Sequence, residues 1–142
     1  MKGTPPVSPL SPTQVASEGM PSREAIAQTV NRYLEFVATG TADDVLTLYA
    51  ADATIEDPIG SDLRRGHDAI REFYAGFQDA KKATELAELR IGGNEAAFLW
   101  HLTLDAGGSR TRISPISTMG FDEDAKITSM RAFWSPSDVR VV

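Results

Sequence analysis

The sequence of this 142-residue chain predicts an α+β fold in which helices pack over one face of a curved, mainly antiparallel sheet. Apolar residues recur at helical spacing through the first half of the chain and alternate through most of the second. The alternating segments are joined by short, glycine-containing turns, which implies an antiparallel meander. Helices followed by a meander place the helices together on one side, where they and the sheet can enclose an apolar pocket.

The first twenty residues contain four of the eight prolines and no apolar run long enough for a signal peptide or a membrane span. They read as a disordered tail, with residues 21–142 as one domain and Met20 as a second candidate start. From Ser22 to Thr39, Ile26, Val30, Leu34 and Val37 form a helical stripe that includes Tyr33, opened by Pro-Ser and closed by Gly40. In "TADDVLTLYA", Thr41 and Asp44 have the spacing of a capping box, and Val45, Leu48 and Tyr49 share a face of a second, shorter helix. A strand ending at Asp57 and a polar loop follow. "HDAIREFYAGF" then reads as a third helix, with Ile70, Phe73, Tyr74 and Phe77 on one side.

Beyond Lys82 the period changes. Thr84 to Ile91 fits both periods, since Leu86 and Leu89 suit a helix while Ala87, Leu89 and Ile91 suit a strand; it is read as a strand. Ala96, Phe98, Trp100, Leu102 and Leu104 alternate along the next strand, between the turns "GGN" and "GGS". Ile113, Pro115, Ser117, Met119 and Phe121 mark one face of a further strand. "DEDA" then turns into a last strand from Ile127 to Trp134, which carries Met130.

With 42% hydrophobic and 24% charged residues, the composition is that of an ordinary globular protein. Fourteen basic against twenty acidic residues, scattered rather than blocked, exclude the basic stripe that nucleic-acid binding requires. Zero cysteines exclude disulfides, thiol nucleophiles and thiolate metal sites, and fit a reducing compartment, the cytoplasm being the default. Phosphate loops, paired-histidine metal motifs and serine-hydrolase elbows are absent, so no metal or cofactor is expected. His67 is expected in solvent near a helix start, and His101 on the less apolar face of its strand.

The stretch "DATIEDPIG" stands out. Alternation puts Ile55 and Asp57 on one face, so if Ile55 points inward, so does the acid. Pro58 restrains Asp57 to extended backbone. Taken singly, each polar residue on an apolar face has a plain explanation. A tyrosine on a stripe is ordinarily core, an acid before proline is ordinarily a turn residue, and a strand serine is ordinarily just small.

Taken together, these residues resemble the bacterial ketosteroid isomerases (steroid Δ5-3-ketoisomerases) of the cone-shaped nuclear-transport-factor-2-like, or SnoaL-like, fold. The resemblance lies in "NRYLEFV", "VLTLYAADATIEDPIG", "RGHDAIREFYAGF" and "MGFDEDAKITSMRAFWS", which with their connections span most of residues 22–136. It implies a homodimer through the sheet faces and a small-molecule steroid substrate. It makes Asp57 a general base, Tyr33 the principal oxyanion-hole donor, and Tyr49 and Tyr74 a phenol chain behind that donor. Trp134 and Phe73 match pocket-wall positions, and Phe98, Trp100, Leu102, Ile113 and Met130 are the further wall residues expected from the inward faces of the strands. This family is itself the standard illustration of a carboxylic acid held neutral to donate a hydrogen bond. Here the pattern departs, because Ser117 stands where the best-known members carry that acid. The expected role of Ser117 is a weaker, always neutral donor to the oxyanion, directly or through a water. Two other readings compete: a non-catalytic module of the same fold that binds an apolar ligand or a partner protein, and another small-molecule enzyme such as a polyketide cyclase or epoxide hydrolase.

Overall fold

The computed structural model describes residues 19–142, so the expected tail over residues 1–20 lies outside the described residues apart from Gly19 and Met20. Helix α1 (Arg23–Thr39) starts where Ser22 Oγ accepts the Ala25 N–H at 3.0 Å, satisfying one of the amides a helix start leaves free. It buries Ile26, Val30, Tyr33, Leu34 and Val37, the stripe expected from the sequence. It ends at Gly40, where an added Cβ would lie 2.9 Å from the Phe36 carbonyl oxygen. Helix α2 (Ala42–Leu46) begins with the Thr41–Asp44 capping box, each residue's side chain accepting the other's N–H.

The second helix is shorter than expected. Tyr49 opens strand β1 (Tyr49–Glu56) instead of closing α2, because the backbone here is taken up by pairing: the Ile127 N–H donates to the Leu48 carbonyl at 2.8 Å. Along β1, Ala53 and Ile55 are buried, and Asp57 follows directly, joined to Pro58 by a cis peptide bond. The two-residue strand β2 (Arg64–Arg65) folds back on β1, and helix α3 (His67–Ala75) buries Ile70 and Tyr74. His67 is half-buried rather than in solvent, its Nε2 3.0 Å from the Tyr49 carbonyl oxygen.

The remaining strands are β3 (Lys81–Gly92), β4 (Glu95–Ala106), β5 (Ser109–Ile113), β6 (Ile116–Phe121), β7 (Ile127–Phe133) and β8 (Val139–Val141). The eight-stranded sheet runs β2-β1-β7-β6-β4-β5-β8, with β3 paired to β4. Every pair is antiparallel except β1 with β7, which is parallel. A bulge between Leu86 and Glu88 brings Leu86, Leu89 and Ile91 to one half-buried side of β3. That bulge is why the segment mimics helical spacing.

The single strand expected through Ile113 and Phe121 is divided at Ser114-Pro115. Both halves pair with β4 in one continuous register, Leu102 opposite Ile113 and Phe98 opposite Ser117. Pro115 has no N–H to give to β4, although its carbonyl accepts the Trp100 N–H at 3.2 Å. His101 lies on the outer side of β4, its Nδ1 2.7 Å from Ser114 Oγ. Among the described residues, no helix is long and apolar enough to cross a membrane.

Candidate active site

The α1 stripe, the α3 face and the inner face of the β4–β5 half of the sheet surround a cavity of about 260 Å³. Tyr33 and Val37 line it from α1. Phe73, Tyr74 and Phe77 come from α3 and the turn after it. Trp100, Leu102 and Leu104 come from β4, with Ile113 and Pro115 beside them. Asp57 and Trp134 complete the wall, each just past the end of its strand, β1 and β7. Among the described residues, Asp57 is the only carboxylate on this wall.

Because β1 and β7 run parallel, with Glu56 beside Arg131, their C-terminal ends emerge on the same side. That brings the Trp134 indole N–H onto Asp57 Oδ1 at 2.8 Å. Arg64, opposite Ile55 in the β1–β2 pair, lies on the same side of the sheet as Asp57, and its guanidinium rests over the Phe73 ring, 5.0 Å from the centroid. Burial pushes the Asp57 carboxyl above its ordinary value, while the Trp134 hydrogen bond and the Arg64 charge pull it back down. Burial is the larger effect, and the Trp134 N–H and the Arg64 charge are the groups that favour the charged form against it.

Facing Asp57 is a chain of phenols. Tyr74 Oη lies 2.9 Å from Tyr33 Oη and 2.7 Å from Tyr49 Oη, and all three rings are buried. Burial holds each phenol well above its ordinary value, and the Asp57 charge raises Tyr33 and Tyr49 further, so all three remain neutral donors at working pH. Three hydroxyls carry three protons, but the chain has only two links. Among the described residues, Tyr33 and Tyr49 have no other hydroxyl partner. If Tyr33 were the inner donor, the spare proton would fall on Tyr49, buried and off the cavity wall. The favoured order is Tyr49 to Tyr74 to Tyr33, with the spare proton of Tyr33 facing the cavity.

Of the expected site residues, Asp57, Tyr33, Tyr74, Phe73, Trp100, Leu102, Ile113 and Trp134 meet at one cavity. Tyr49 stands behind Tyr74 rather than on the wall. Phe98 and Met130, each 1% exposed, belong to the packed core beneath it, because the cavity lies farther along β4 and past the end of β7. Ser117 is also off the wall; its Oγ accepts the Trp100 indole N–H at 3.0 Å. Val37, Phe77, Leu104 and Pro115 also line the wall; the sequence pattern puts each on an inward face without marking it as a site residue, and each follows an expected one by one helical turn or one strand repeat.

A family model described as a SnoaL-like domain matches residues 30–130. A steroid Delta-isomerase from Nocardioides simplex is 48% identical over 116 residues, covering 82% of this chain and 94% of its own. Epoxide hydrolase LasB from Streptomyces lasalocidi is 26% identical over 146 residues, covering 86% of this chain and about half (51%) of its own. Among solved structures, the epoxide hydrolase/cyclase-like enzyme SalBIII, described in pyran ring formation in the polyether salinomycin, superposes with a TM-score of 0.78 at 29% identity, over 84% of this chain and 97% of its own. RV0760c from Mycobacterium tuberculosis has the same TM-score at 20% identity, over 85% and 98% of the two chains, and shows the fold. With a model match over most of its length and a near relative along nearly the whole domain, the chain belongs to the SnoaL-like family, alongside a steroid Delta-isomerase.

Proposed function

We propose that this chain isomerises Δ5-3-ketosteroids to their Δ4 isomers, with Asp57 as the base and Tyr33 as the principal donor to the ketone oxygen. The observation that carries this reading is one carboxylate, Asp57, and two phenols, Tyr33 and Tyr74, on the wall of a single, otherwise largely apolar cavity. The 48% identity to a steroid Delta-isomerase supports the reaction class. The apolar wall supports a rigid hydrocarbon substrate, whose binding comes mainly from removing apolar surface from water.

In this mechanism the Asp57 carboxylate takes the proton from the carbon between the carbonyl and the double bond. The C–H electron pair moves into a dienolate, and negative charge collects on the ketone oxygen. Asp57 then delivers the same proton to the far carbon, leaving a conjugated enone and a regenerated carboxylate. Tyr33 donates to the oxyanion, strengthened by the phenols behind it, where a fixed donor in a dry site has most effect. Ser117, which lies off the wall, supplies the second donor directly or through a water. The epoxide hydrolase relatives mark the main alternative, but activating a water calls for more polar groups than a wall with one carboxylate offers.

We also propose a homodimer through the outer sheet face. Ile116 and Phe133 lie opposite one another on β6 and β7 and are 49% and 43% exposed. A monomer mass by light scattering at micromolar concentration would sink that part of the reading. The reaction is tested by following conjugated enone formation from 5-androstene-3,17-dione in the near ultraviolet. Turnover by the wild type that is abolished in Asp57→Asn is expected; a folded wild type with no turnover would overturn the assignment.

A further inference from the structure

An indole N–H can only donate, so in the 3.0 Å contact between Trp100 Nε1 and Ser117 Oγ the serine must be the acceptor. That rules out the indole as the target of the serine's own proton. The proton points away from the indole, and among the described residues it has no acceptor, since this contact is the only hydrogen bond the side chain makes. Ser117 is 1% exposed, and a buried hydroxyl proton without an acceptor is a costly arrangement unless a ligand completes it. The residue lies on the inward side of β6, one strand repeat beyond the wall residue Pro115 and opposite Phe98. Trp100 itself lines the cavity and meets Tyr33 edge-on, with ring centroids 6.2 Å apart and planes at 81°. The indole therefore touches both the principal donor and the serine.

We infer that Trp100 and Ser117 act as one unit, in which Trp100 is a positioning residue whose indole N–H orients and polarises the Ser117 hydroxyl, itself just behind the wall, toward the oxygen of a bound ketone beside Tyr33, directly or through a water. The inference rests on the isomerase reading and assigns the second donor its support. A serine has a weaker proton than a carboxylic acid; accepting a hydrogen bond from the indole strengthens the one it gives. The carboxylic acid of the best-known relatives brings its own strong proton. Here two neutral side chains share the task.

The test compares wild type, Trp100→Phe, Ser117→Ala, Ser117→Thr and the Trp100→Phe/Ser117→Ala double variant, using kcat and KM for 5-androstene-3,17-dione. A second readout is the ionised fraction of a bound naphtholic steroid, followed by absorbance. Ser117→Ala is expected to lower kcat about 10- to 100-fold with little change in KM, below the loss typical of a strong oxyanion donor. Trp100→Phe should lower it about 3- to 10-fold, on the scale of one hydrogen bond. The double variant should be no worse than Ser117→Ala alone, Ser117→Thr should keep most of the activity, and the naphthol should ionise less in the same order. If the two single losses multiply in the double variant, or if Trp100→Phe leaves kcat and naphthol ionisation unchanged, the inference is overturned while the isomerase reading stands. A wild type without turnover overturns both. Should Trp100→Phe fail to fold, the Trp100 Nε1–H resonance of the isotope-labelled protein decides the matter: it is expected to move upfield in Ser117→Ala, and an unmoved signal refutes the pairing.

Discussion

Replacing Tyr74 with phenylalanine removes one oxygen atom and two hydrogen bonds, the 2.9 Å link to Tyr33 and the 2.7 Å link to Tyr49. The ring and its packing stay, so the cost is almost entirely polar. Tyr49 Oη is then a donor with no acceptor, in a residue 3% exposed, which costs about 1–3 kcal/mol. Tyr33 loses a donor to its lone pair but keeps access to the cavity, so its share is that of an ordinary hydrogen bond, about 0.5–1.5 kcal/mol. Together the two terms predict a loss of about 3 kcal/mol. Tyr49→Phe should cost less, about 1 kcal/mol, because removing the terminal donor leaves Tyr74 still donating to Tyr33. Urea unfolding followed by near-ultraviolet circular dichroism reads both values. Equal losses in the two variants, or a loss below about 0.5 kcal/mol for Tyr74→Phe, would refute both the direction of the chain and the reasoning behind Tyr33 as its cavity-facing end.

Two further predictions concern Asp57. Burial raises its folded pKa above the ordinary 3.8, so ionisation costs stability; the cost grows as pH rises from the unfolded value through the folded one and is fully present above it. Asp57→Asn should therefore melt at a higher temperature than wild type at pH 7, with the advantage fading toward pH 3, and equal melting temperatures at pH 7 would count against the buried carboxylate. Trp134→Phe removes a donor that pulls this pKa down, so the acidic limb of kcat/KM should move to higher pH. A hydrogen bond to a charged acceptor is worth about 1.5–3 kcal/mol, so activity on that limb should fall at least about 10-fold more than activity on the plateau. A uniform loss across pH would mean that Trp134 only shapes the wall.

Elements that repeat a pattern over several turns are legible in the amino-acid sequence, as the α1 stripe and the alternation from Ala96 to Leu104 show. Where periodicity misleads, a non-local contact decides the backbone. Tyr49 fits a helical face, but pairing with β7 claims the chain after Leu46. Leu86 and Leu89 have helical spacing because one extra residue is spliced into a strand. Strands β2 and β8, of two and three residues, are too short to show any period. The site divides the same way. Asp57 is legible from Ile55 two residues earlier and from the family motif, and the tyrosines from their stripes. The Trp100 bond to Ser117, the Arg64 guanidinium over Phe73 and the Trp134 bond to Asp57 join residues that only the strand pairing and helix packing bring together.

The parallel junction of β1 and β7 also bears on when this protein becomes chemically competent. Asp57 and the indole that steadies it are 77 residues apart. A ribosome emitting the chain exposes the acid long before its partner exists, and the β1–β7 pair cannot close until the last long strand has emerged. Long-range pairings of this kind close slowly, so the proposed base is set among the late events of folding. A partly made or C-terminally clipped chain would then be inert as well as unstable, and recovery of turnover during refolding would report completion of the fold itself.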